Sequence, residues 1–137
     1  MILAPISIGD LADKISILQI KARRITDPEK LANVGRELEA LRAAWAEACG
    51  PRSSPVTLAP MLRNLDSVNN KLWDLENEAR KPKYVTDDMQ FLTQKDRQDM
   101  AALLRSITRN NDTRAALKRA ISKLMGSELT EEKSHTT

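Results

Sequence analysis

Two lines of polar and charged side chains recur at helical spacing. Asp10, Lys14, Ile17 and Lys21 step by four, three and four residues, and so do Asn69, Trp73, Glu76 and Arg80. At about 100° per residue, each set falls on one line along a helix, roughly 90° from that helix's apolar stripe. A third group, Asp112, Arg114 and Lys118, surrounds Leu117 and leads toward Ile121. Groups bordering the seam between two helices are partly desolvated, so their interactions exceed those of fully exposed pairs. Lys14, Lys21, Arg80, Arg114 and Lys118 supply donors for a carboxylate or phosphate. Asp10 and Glu76 can orient those cations or act as general acids and bases. Together with Asn69, Trp73 and Asp112 they form the candidate ligand site.

Other chemistry is absent from the sequence. It contains no glycine-rich phosphate loop, no nucleophile elbow and no zinc-protease helix. The single histidine, His135, falls in a polar C-terminal stretch, and the single cysteine, Cys49, has no histidine near it in sequence. Asp10 with Asp13, and Asp96 with Asp99, have the one-turn spacing of carboxylate metal ligands. Solvated helix faces share that spacing, so no metal site is expected. No cofactor, nucleophile or reaction can be assigned.

The elements that position these residues are helices. Leu11, Ile15, Leu18, Ala22 and Ile25 define a first stripe, with Ser7 and Asp10 as a capping box. Asp27 and Pro28 restart the chain, and Leu31, Val34, Leu38, Leu41, Trp45 and Ala48 form the second stripe. Gly50, as a left-handed cap, and Pro51 close it. Leu58, Met61, Leu65, Val68, Leu72, Leu75 and Ala79 form the third stripe, ended by Pro82. Tyr84, Val85, Met89, Phe91 and Leu92 are expected to anchor an irregular connection. A fourth helix starts at a capping box of Thr93 and Asp96. Asn110, Asn111 and Asp112 are expected to break it, with Asp112 capping a fifth helix that Gly126 stops. No strand pattern or repeat is present. The expected architecture is all-α: an antiparallel bundle of four to five helices over residues 1–126, with a polar tail at 127–137.

In an up-down-up order the first and third helices run parallel. Their polar lines are offset from the apolar stripes in opposite hands, so they either face one another or point apart. The facing arrangement predicts a polar cleft with Lys14 and Lys21 close to Asn69 and Glu76. The alternative is plain helix support: Asp10 before Lys14 and Glu76 before Arg80 are acid-before-base pairs worth about 0.2–0.5 kcal/mol each.

Several phrases carry a resemblance. They are Ile6-Ser7-Ile8-Gly9-Asp10-Leu11-Ala12-Asp13-Lys14-Ile15, Ile17-Leu18-Gln19-Ile20-Lys21, and Val68-Asn69-Asn70-Lys71-Leu72-Trp73-Asp74-Leu75-Glu76. Asn111 to Arg119 and Glu131-Glu132-Lys133-Ser134 complete the set. Over nearly its whole length the chain resembles a family of small helical proteins of bacteria and phages, catalogued as a domain of unknown function, number 6165. The resemblance implies a helical fold and a setting near surface-polysaccharide and sugar-transfer genes, without an assigned activity. The chain departs from the family pattern at His135, where the family has an aromatic residue, and at Glu76-Asn77, where it has an acid pair. The match falls on Asp10, Lys14, Lys21, Asn69, Trp73, Glu76, Asp112, Arg114 and Lys118, largely the residues found by spacing.

The 137 residues suit one domain large enough to bury a core without disulfides, and one cysteine can form none internally. Lys and Arg number 22 against 19 Asp and Glu, a net charge of +3, with the signs interspersed. That pattern and the scarcity of aromatics speak against a nucleic-acid stripe, although Arg105, Arg109, Arg114, Lys118, Arg119 and Lys123 cluster late in the chain. No apolar run is long enough to span a bilayer, and the cytoplasm is the expected location. The sequence thus predicts a soluble helical protein whose inter-helix cleft takes an anionic small molecule, phosphate or carboxylate, sugar- or nucleotide-linked. The alternative is a helical adaptor that docks a partner protein or a second copy of itself. Whether the protein is an enzyme stays open.

Overall fold

A computed structural model describes residues 2–50, 55–85 and 92–126, and among these it contains four helices and no strand. They are α1 (Ile8–Arg24), α2 (Pro28–Cys49), α3 (Leu58–Ala79) and α4 (Gln94–Leu124). The ends follow local chemistry. The Ser7 hydroxyl accepts from the Asp10 N–H, and Asp27 accepts from Glu29 N–H with Pro28 opening α2. Thr93 and Asp96 form the full reciprocal capping box. Gly126 lies at φ 69°, the left-handed conformation that stops α4.

Two expectations about helix ends are corrected. Gly50 adopts φ −48°, a right-handed conformation rather than a left-handed cap. Asn110-Asn111-Asp112 does not break the chain, and α4 runs through it as one helix of 31 residues. The Asn110 amide donates to the Ser106 carbonyl at 2.8 Å, and Thr113 Oγ1 donates to the Arg109 carbonyl at 3.1 Å. These side chains bond back to carbonyls of the preceding turn while the helix continues through them. Their propensity penalty is below about 1 kcal/mol each, small beside the packing of α4 on α3 and α1. Of the expected anchors, Leu92 is buried, Tyr84 half-buried and Val85 exposed. Met89, Phe91 and the stretch 127–137 lie outside the described residues.

The helix α1 is central, packing against the other three, whereas the α2 backbone approaches α1 alone. Gly9 meets Ser122, Asp10 meets Lys118 and Asp13 meets Arg114, so α1 and α4 are antiparallel. Asp13 meets Asn69 and Arg24 meets Asp74, so α1 and α3 are parallel. At 100° per residue, the buried side chains of α1 sweep an arc of roughly 220°, from Leu18 round to Asp13. One cluster of Ala12, Leu58, Leu65 and Ile121, joined by Trp45, Leu62 and Leu117, closes the end near Ile8. A second, Leu18, Val34 and Leu38, fastens α2 to α1. Burying an aliphatic side chain as completely as Leu65 or Ile121 contributes about 1.5–3 kcal/mol.

Candidate functional site

A polar layer crosses the seam where α1, α3 and α4 meet. Asp13 is its centre, with a side chain only 4% exposed. Arg114 grips it in a fork, Nε to Oδ1 at 2.9 Å and Nη2 to Oδ2 at 2.5 Å. Lys118 stands 4.0 Å from the same carboxylate and 2.8 Å from Asp10. The Asn69 amide donates to Asp13 Oδ1 at 3.0 Å and to Ser16 Oγ at 3.1 Å. Ser16 in turn donates to Asp66 Oδ1 at 3.1 Å. Burying a carboxylate is costly unless it is paired and hydrogen-bonded, and Asp13 has both kinds of partner. The layer therefore fixes how the three helices align.

A cavity of about 430 Å³ adjoins this layer. Ile17, Ile20 and Lys21 of α1 form one wall, and Asn69, Leu72, Trp73, Glu76, Asn77 and Arg80 of α3 and its C-cap form the other. Arg114 enters from α4. The α3 line continues past the end of α1, so it borders solvent there instead of core. Arg24, bonded to Asp74 at 2.6 Å, lies 6.0 Å from the centre of the Trp73 ring and props the indole. Lys21, Glu76 and Arg80 make no ion pair among the described residues.

The sequence-derived candidates divide into three groups. Lys21, Asn69, Trp73, Glu76, Arg80 and Arg114 line this one cavity. Asp10 and Lys118 pair with each other beside it and brace the polar layer. Lys14 and Asp112 are exposed and line neither this cavity nor the one between α1, α2 and α3. Lys14 shares its line with Lys21 but stands two turns nearer the start of α1, away from the cavity. Asp112 sits inside a continuous helix and has no terminus to cap. The spacing argument missed Asp13 as the hub. Its signal was a second arc of buried small residues on α1, Gly9, Ala12 and Ser16, leading to Ile20. That arc marks a helix covered on two sides, where a charged residue has to be paired.

Around the start of α4, pKa values are perturbed at Asp96, Lys83 and Lys95. Hydrogen bonds from Thr93, first its backbone N–H and then its side chain, hold the Asp96 carboxyl below its ordinary value. Lys83 is raised by Tyr84 and then by Asp96, and Lys95 by Asp99. None of these groups lines either cavity. Among the described residues, no group of three or more His, Cys, Asp or Glu is placed to hold a metal ion. No described helix is long and apolar enough to cross a membrane. Comparison with protein-family models, curated proteins and solved structures returns no match.

Proposed function

We propose that the protein binds a small phosphorylated or carboxylated molecule bearing hydroxyl groups, sugar- or nucleotide-linked, in the cavity between α1 and α3. The observation that carries this reading is that Lys21, Arg80 and Arg114 line one cavity together with an indole and two carboxamides. Asp13 matches the charge of Arg114. Lys21 and Arg80 against Glu76 then leave the cavity with a slight excess of positive charge. That balance favours a singly or doubly charged anion over a polyanion. Glu76 accepts from hydroxyl groups, Asn69 and Asn77 serve as donors and acceptors, and Trp73 offers a flat apolar face for a sugar or base ring. The volume falls within the range of small-ligand cavities, about 300–1,000 Å³.

A thermal-shift titration with ribose 5-phosphate and with inorganic phosphate tests the reading. At ten times the dissociation constant, binding stabilises by about 1.4 kcal/mol, or roughly 4 °C in Tm for a domain of this size. Lys21→Ala and Arg80→Ala should remove the gain, whereas Lys14→Ala should keep it. Gains that survive both cavity substitutions would refute the assignment.

The nucleic-acid reading is weakened by the geometry, because Arg114 and Lys118 of its basic cluster face Asp13 and Asp10. A protein partner is the second reading. Ile2, Leu3 and Ile6 favour it, standing exposed in close succession ahead of α1. Replacing all three with Ser should abolish any self-association seen by sedimentation, and an unchanged oligomeric state would count against it.

A further inference from the structure

Another cavity lies on the opposite side of α1. The α2 backbone packs on α1 and does not approach α3, so a gap of about 330 Å³ opens between α2 and α3 with α1 as its floor. Its lining is unlike that of the first cavity. Ile15, Leu62, Leu65 and the Trp45 indole make an apolar bed. At the rim stand Arg42, exposed and without an ion pair among the described residues, and Asp66.

We propose that this groove is a second binding site, for a molecule with an apolar body and a single carboxylate. The apolar body lies on Leu62 and Ile15 beneath Trp45, which are half-buried, removing apolar surface from water on both partners. The carboxylate meets the Arg42 guanidinium, whose planar donor fork matches it. The choice of a monoanion follows from Asp66. Its carboxylate is held in place by Ser16 and by the Asn70 amide, which donates to it at 3.3 Å. Asp66 lines the cavity whereas Arg23, 3.8 Å from it, does not, so Asp66 disfavours a second negative charge on the ligand. Phosphate esters therefore belong to the first cavity and amphipathic carboxylates to this one.

The chain has two tryptophans, one in each cavity, which makes the test direct. In a Trp73→Phe background, Trp45 is the sole indole reporter. Octanoate should shift its emission to shorter wavelength in a saturable manner, as the tail displaces water from the ring. Octanol, with the same tail and no charge, should bind about tenfold more weakly, as should octanoate to the Arg42→Gln variant, the loss expected for one charge-assisted pair. Arg42 is exposed, so that variant keeps the fold. The proposal is overturned if Trp45 emission does not saturate with octanoate, or if octanol and octanoate bind alike. Equal octanoate affinity in the Arg42→Gln variant would overturn it as well.

Discussion

Replacing Gly9 with Ala should be among the most damaging single-methyl changes available in this protein. A Cβ at position 9 would sit 2.0 Å from the Lys118 carbonyl oxygen and 2.7 Å from Ser122 Oγ. Backbone atoms on one side and a fully buried serine on the other leave no flexible tip to move aside. Relieving the clash requires α1 and α4 to part by about 1 Å, an overpacking strain of roughly 1–3 kcal/mol. That motion also stretches the hydrogen bond from Gly9 N–H to Ser122 Oγ, now 2.9 Å, and leaves buried polar groups unsatisfied at a further cost of about 1–3 kcal/mol. The higher helix propensity of Ala returns about 1 kcal/mol, so the net loss is about 1–5 kcal/mol. Gly35 is the internal control. It lies within α2, and a Cβ added there would meet nothing within 4 Å, so Gly35→Ala should stabilise by up to about 1 kcal/mol. Urea denaturation of both variants measures the two differences under identical conditions. The reasoning about the α1–α4 contact is refuted if Gly9→Ala is neutral, or if the two substitutions change stability in the same direction.

Other predictions concern the polar layer and the start of α4. Arg114→Met leaves Asp13 with Lys118, at 4.0 Å, as its remaining cation and should cost about 3 kcal/mol, while the Asp13→Leu, Arg114→Met double variant should recover much of that loss. A double variant no more stable than Arg114→Met in urea melts would contradict this. Asp10→Asn, at a side chain about one-third exposed, should cost no more than about 1 kcal/mol by the same assay. The capping box at Thr93 should weaken in acid. Because the folded Asp96 value is depressed, its contribution is present above the ordinary carboxylate value of 3.8 and is lost as pH falls through the lower folded value. Amide exchange of the first turn of α4 should rise over that interval, and Asp96→Asn should flatten the response. Lys83 has the opposite sign: its raised value contributes below 10.5 and is lost as alkali carries the pH through the folded value.

Much of the fold was legible because periodicity marks α1, α2 and α3, and side-chain caps mark the starts of α1 and α2. The Asp27–Pro28 start and the Thr93–Asp96 box rest on hydrogen bonds between near neighbours, which sequence spacing can specify. The uninterrupted α4 was not legible. Asn110, Asn111 and Asp112 read as a break by local propensity, and the packing that overrules it comes from α3. The polar site was partly legible for a similar reason. Spacing grouped Asn69, Trp73, Glu76 and Arg80 correctly on α3, but one apolar stripe on α1 hid the fact that a second face is buried. With three helices around α1, the side of each line facing a neighbour is set by tertiary arrangement. Lys14 and Lys21 share a line, yet only Lys21 reaches the cavity.

The most direct test of the binding site uses the indole N–H resonances of the two tryptophans. Uniformly ¹⁵N-labelled protein is titrated with ribose 5-phosphate, with ribose alone as the uncharged comparison. The account predicts a saturable shift of the Trp73 indole resonance with the phosphate ester, a far weaker response to ribose, and a Trp45 resonance that stays in place. Loss of the Trp73 shift in Lys21→Ala would complete the assignment. A Trp73 resonance that does not move, or one that moves equally with ribose and in Lys21→Ala, would contradict it.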